Sequence, residues 1–202
     1  MKTYSRGRRI CSRCLFYALK SVAVLISYVS HRVYMRLYIP LLAFSGMHLT
    51  GKPRYIAKNV YFDDFRGITL GERVVISTNV RFLTHDYSAT TALLAVGERP
   101  PSDIAVERPI SVGNNVFIGL GSLILPSTEI GDDVIIGAGS VVRGKIPPRS
   151  VVIGNPATVI GTIDEYAERC KSQIASGRAR MDAAAFGAAP DAAWAGRGRS
   201  TL

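Results

Sequence analysis

Acidic residues are absent from the first 62 positions of this 202-residue chain, the earliest being Asp63. The same stretch holds Lys2, Arg6, Arg8, Arg9, Arg13, Lys20, Arg32, Arg36, Lys52, Arg54 and Lys58, so the net charge of +10 is concentrated there and the remainder is close to neutral. Cysteine is scarce. Cys11, Cys14 and Cys170 form an odd set without a second Cys-x-x-Cys pair, which excludes a disulfide framework and a four-cysteine zinc site and suits a reducing compartment. Histidine occurs only as His31, His48 and His85, too thinly spread for a multi-histidine metal enzyme, so no metal is expected. Long apolar runs are missing too. The run from Leu15 to Val29 contains Lys20 and stops at about fifteen residues, whereas a spanning helix needs about twenty. No small-residue cleavage site follows it, which argues against a secretory signal.

What the chain does have is a six-residue repeat. Val112, Ile118, Ile124, Ile130, Ile136 and Val142 hold one phase, with Val116, Ser122, Thr128, Val134, Ser140 and Ile146 four residues after each. Gly follows the aliphatic at Gly113, Gly119, Gly131 and Gly137. A helix drifts off a period of six. Short strands joined by tight turns keep it, the aliphatic pointing inward and Gly letting the backbone bend. Three hexads per turn stack each strand on the one a turn later, about 4.8 Å away, which is a β-solenoid. Ile56 to Val60 and Leu70 to Val80 keep the phase, so the solenoid is expected over 51–163 with one interruption at 84–109.

With these marks the sequence resembles the left-handed β-helix hexapeptide acyltransferases, a family that includes galactoside and maltose O-acetyltransferases and surface-polysaccharide O-acetyltransferases. The resemblance rests on Val80 to Ser88, on Ile110 to Gly119, on Ile136 to Val142 and on Gly154-Asn155-Pro156-Ala157. It implies an all-β, left-handed parallel β-helix, an acetyl-CoA donor, a homotrimer with active sites between subunits, and direct transfer to a hydroxyl in a ternary complex.

The only histidine of the repeat region is His85, placed where the regular coil breaks. Acetyl transfer to a hydroxyl needs a base, and imidazole titrates near neutral pH. The family's catalytic histidine matches His85. The resemblance further implies backbone donors for the thioester oxyanion at Gly119 and Leu120, and coenzyme contacts at Phe117, Ala138, Gly139, Arg143 and Lys145. Here the chain departs from its relatives, carrying Arg143-Gly144 where many have Thr-Lys, and Phe117 where many have Trp. Acceptor contacts are expected from Asp64, with Asn79 and Asp86 as further candidates. Asp64 and Asn79 also read as simple turn residues, and Asp86 either orients the imidazole or is a solvated loop carboxylate.

Residues 1–50 are expected to form a basic, apolar helical segment. Leu15, Leu19, Val22, Ile26, Val29, Val33 and Leu37 recur at three- and four-residue spacing, as one helix with a broad apolar stripe. Such a segment either lies in a membrane interface, drawn by its cations to anionic headgroups, or packs on the open end of the solenoid. Nucleic-acid binding is not expected, because the aromatics are embedded among aliphatics. The interruption at 84–109, with Gly97, Pro100 and Pro101, reads as a long functional loop over the active groove. Residues 164–202 are expected to be a short helix and a disordered tail. Together these imply a cytoplasmic saccharide O-acetyltransferase, peripheral on the inner face of the membrane. A small soluble acceptor and a non-catalytic scaffold are the alternatives.

Overall fold

A computed structural model describes residues 6–179, with side chains from Leu15 onward. The side chains of Cys11 and Cys14, and the tail expected to be disordered from Ala183, lie outside the described residues. The chain forms a two-helix hairpin, a three-sided parallel β-helix and a C-terminal helix.

The first face of the solenoid stacks His48–Leu49, Ile68–Leu70, Ile110–Val112, Glu129–Ile130 and Lys145–Ile146. The second stacks Tyr55–Ile56, Val75–Ile76, Phe117–Ile118, Ile135–Ile136 and Ser150–Gly154, closed by the antiparallel strand Ala157–Thr162. The third stacks Tyr61–Phe62, Arg81–Phe82, Leu123–Ile124 and Val141–Val142. Phe117 pairs with Ile135 and Leu123 with Val141, eighteen residues on in each case, so three hexads make one coil.

Every residue of both repeat phases from Val112 to Ile146 is buried. The hydroxyls among them bond turn carbonyls rather than standing unpaired: Ser122 Oγ donates to Gly119 O and Gly137 O, Thr128 Oγ1 to Leu125 O, and Ser140 Oγ to Gly137 O. The residue three places after the aliphatic turns the corner at positive φ, as in Asn79, Asn115, Gly121, Ser127, Asp133 and Gly139. The glycines directly after the aliphatic do something other than bend. A Cβ on Gly119 would sit 2.5 Å from Ala138 N, so glycine there is required by the close approach of successive coils.

The N-terminal segment is two helices, not one. Helices α1 (Arg6–Ser27) and α2 (His31–Phe44) meet at a turn where the Ser30 hydroxyl accepts from Val33 N and caps α2. The buried side is Phe16, Ala23, Tyr34, Met35, Tyr38 and Leu42, which closes the open end of the solenoid. Phe16 lies 4.7 Å from Phe65, and Ile56 N donates to Met35 Sδ at 3.4 Å. The stripe that the spacing singles out, including Leu15, Leu19, Val22, Val29, Val33 and Leu37, faces outward instead.

The 84–109 insertion is also more ordered than a loop. His85–Asp86 pairs antiparallel with Val106–Glu107, and helix α3 (Ser88–Ala95) lies between them in sequence. Helix α4 (Ile163–Ala175) opens with a capping box between Thr162 and Glu165.

Candidate active site

His85 leaves the solenoid at the far corner of the third face, just after Arg81–Phe82. One coil earlier Asp63 follows Tyr61–Phe62 at the same corner, and the parallel pairing Phe62↔Phe82 carries it under the insertion. His85 Nδ1 and Asp63 Oδ2 are 2.8 Å apart, the side chains 30% and 16% exposed. A carboxylate only accepts, so Nδ1 carries the proton and Nε2 of the neutral ring keeps its lone pair. Thr84 N and the Tyr61 hydroxyl also donate to Asp63, each at 3.4 Å, and the imidazole stands edge-on to Tyr87 at 5.7 Å. The ring is thus held from two sides.

Asp86 does not orient that imidazole. It accepts from the Ser88 amide at 3.0 Å and from the Ser88 hydroxyl, and Arg108 lies 3.7 Å away. The Ser88 bonds above all, with the charges of Arg108 and Arg143, hold the Asp86 carboxyl below the usual carboxylate range. Asp64 accepts from Arg66 N at 3.2 Å and caps a short 3-10 turn, and Asn79 accepts from Asn59 Nδ2 at 2.6 Å across the corner. Both occupy turn positions. Asp63, the residue before Asp64, is the carboxylate that reaches the imidazole. The signal for it was present in the twenty-residue step from Ile56 to Ile76, which sets Asp63 beside the segment leading into His85.

The coenzyme candidates collect elsewhere. Leu120, and one coil on Ala138 and Gly139, stand where the second face turns into the third, linked by Gly139 N donating to Leu120 O at 2.8 Å. Gly119 N is spent on Ile136 O, so it is not an available oxyanion donor. Leu120 N meets no acceptor among the described residues. Ala138 and Gly139 are exposed, Gly139 has open space around its Cα, and Phe117 presents an exposed ring on the adjoining strand. That surface suits an extended apolar arm hydrogen-bonded to backbone. Arg143 is exposed at the far corner, on the side of Asp86, whereas Lys145 lies 3.4 Å from Glu129 on the first face and Arg149 bridges Asp133 and Asp164. Within one chain, then, the third face separates the His85 corner from the Leu120 corner.

Residues 109–144 match the family described as bacterial transferase hexapeptide (six repeats). The matched stretch lies within the solenoid, so its repeats are similar to those of that family. The chain is 36% identical to the galactoside O-acetyltransferase of Escherichia coli (strain K12) over 121 residues, which is 60% of this chain and 56% of that protein. It is 35% identical over 109 residues to a mitochondrial serine acetyltransferase of Arabidopsis thaliana, covering 54% of this chain and 25% of the relative. The match spans about half, or less, of the length of these curated relatives. In fold, the hexapeptide solenoid resembles a galactoside acetyltransferase in complex with coenzyme A, with TM-score 0.54, 24% identity, and 83% of this chain and 88% of that one covered.

Proposed function

We propose that this hexapeptide-repeat protein is an acetyl-CoA-dependent O-acetyltransferase acting on a saccharide hydroxyl, in an exopolysaccharide, a capsule or a lipid-linked sugar at the inner face of the cell membrane. The observation that carries the reading is the 2.8 Å His85–Asp63 pair, which leaves Nε2 as a positioned base. Nε2 takes the acceptor proton as the hydroxyl oxygen attacks the thioester carbonyl. The free amide of Leu120 then faces the charge that develops on the carbonyl oxygen. Collapse expels the coenzyme thiolate, which recovers the proton from His85, so no covalent enzyme intermediate is required.

Neither corner is complete by itself. The base stands at one edge of the third face and the amide donor at the other, and in this reading a second copy brings its Leu120 corner to this chain's His85. A closed cyclic trimer does this three times over, which supports the homotrimer the family resemblance implies. The galactoside O-acetyltransferase relative favours, as a second reading, a small soluble sugar as acceptor.

Labelled acetyl-CoA supplied to host membranes and cytosol tests both. Label entering lipid-linked or polymeric saccharide with wild type, and falling by about a hundredfold or more with His85→Ala, is the expected result. Label confined to small soluble products promotes the second reading, and undiminished transfer by His85→Ala removes the base from His85.

A further inference from the structure

The α1–α2 hairpin has already used one face to close the solenoid, yet its opposite face is apolar as well. Leu19, Val22, Leu25, Val29, Leu37 and Phe44 all point outward, Val29 at 90%, Leu25 at 69% and Phe44 at 64% exposure. A helix packed on one side and facing water on the other carries polar residues there. This one does not. The cations run alongside: Arg32 and Arg36 are exposed one turn apart on α2, Arg6, Arg8, Arg9 and Arg13 open α1 in sequence, and no acid stands before Asp63. No helix among the described residues is long and apolar enough to cross a membrane.

We propose that this outer face docks on an anionic lipid bilayer, lying in its interface rather than spanning it. Charge decides between the possible occupants. A second copy of the hairpin would bring the same cations without an acid to neutralise them, whereas anionic headgroups complement the cations and the acyl boundary receives the apolar stripe.

The consequence for the candidate site, which rests on the acetyl-transfer reading, is one of height. Phe16 of α1 packs against Phe65 with ring centroids 4.7 Å apart, two residues beyond Asp63, so the coil holding Asp63 sits directly on the hairpin's inner side. His85 is one strand spacing further. One helix diameter and one or two strand spacings place the pair on the order of 15–20 Å above the docked face, within reach of a lipid-linked saccharide.

Flotation of the full-length protein with vesicles of phosphatidylcholine, with and without phosphatidylglycerol, at low and high salt, tests the docking. It requires no catalysis, so it stands or falls separately from the transferase reading. The wild type is expected to float with phosphatidylglycerol vesicles and to release at high salt. Leu19→Glu/Val22→Glu/Val29→Glu is expected to bind at least tenfold less with unchanged circular dichroism and unchanged mass by light scattering. Arg32→Gln/Arg36→Gln, which leaves the apolar face intact, is expected to weaken binding severalfold and flatten its salt dependence. Wild type that ignores phosphatidylglycerol, or a triple variant that floats undiminished, overturns the proposal. So does a triple variant whose mass changes, because that assigns the face to a subunit contact.

Discussion

The solenoid and the hairpin are both rich in branched aliphatics, and they spend them in opposite ways. In the solenoid each aliphatic repeats at the same inward position and is sealed by the coils above and below, as Ile118, Ile124 and Ile136 show. In the hairpin the aliphatics at regular helical spacing largely face out, and the burial is done by Phe16, Tyr34, Met35 and Tyr38 together with Ala23 and Leu42. Periodicity identifies an apolar surface; what that surface meets depends on the number of sides an element has left to bury.

Several substitutions would break or sharpen that contrast. Ile124→Ala empties a fully enclosed inward site and is expected to cost about 2–5 kcal/mol in denaturant unfolding. Gly119→Ala forces a methyl group against Ala138 N and is expected to cost about 1–3 kcal/mol or more, although the backbone there needs no positive φ. Asp63→Asn keeps the shape beside His85 but removes the carboxylate that holds Nδ1–H, and is expected to lower kcat by at least about tenfold, roughly 1.4 kcal/mol of barrier, with little change in melting temperature. Leu19→Ser, on the outer face of the hairpin, is expected to change stability in solution by no more than about 0.5 kcal/mol. A cost like that of Ile124→Ala would show that a partner surface already covers it.

The smallest effect belongs to the insertion. Asp86 has its carboxyl lowered in the folded chain by Ser88, so its contribution is present above the ordinary carboxylate value and is lost as pH falls through the lowered one. Limited proteolysis near α3 should therefore stay constant down to mildly acidic pH and rise only below it. Ser88→Ala should shift that rise upward in pH.

The coil was legible because a period of six admits no helix, and because identical side chains recur where identical backbone positions recur. The corner at Asn79 was legible for the same reason, three residues after Ile76. The break between α1 and α2 was not, since Val29, Val33 and Leu37 carry the apolar spacing straight through the turn while Ser30 starts a new helix. Helix α3 was missed because Ser88–Ala95 buries no residue and so shows no stripe. At the site, His85 stood out by rarity. Its partnership with Asp63 depends on a twenty-residue coil preceding the insertion, a register that becomes decisive only once the third face is assembled.

The central claim is that a working site joins the His85 corner of one chain to the Leu120 corner of another. Co-assembly of His85→Ala chains with Leu120→Pro chains, each inactive alone, tests it most directly, because proline removes the amide at Leu120 while leaving that chain's His85 intact. Equal mixing into trimers should restore about a quarter of wild-type acetyl transfer, since each restored site draws one intact corner from each kind of chain. Activity that stays at the level of the separate variants, in trimers shown to be mixed, would mean that both corners act from the same chain and would contradict the account.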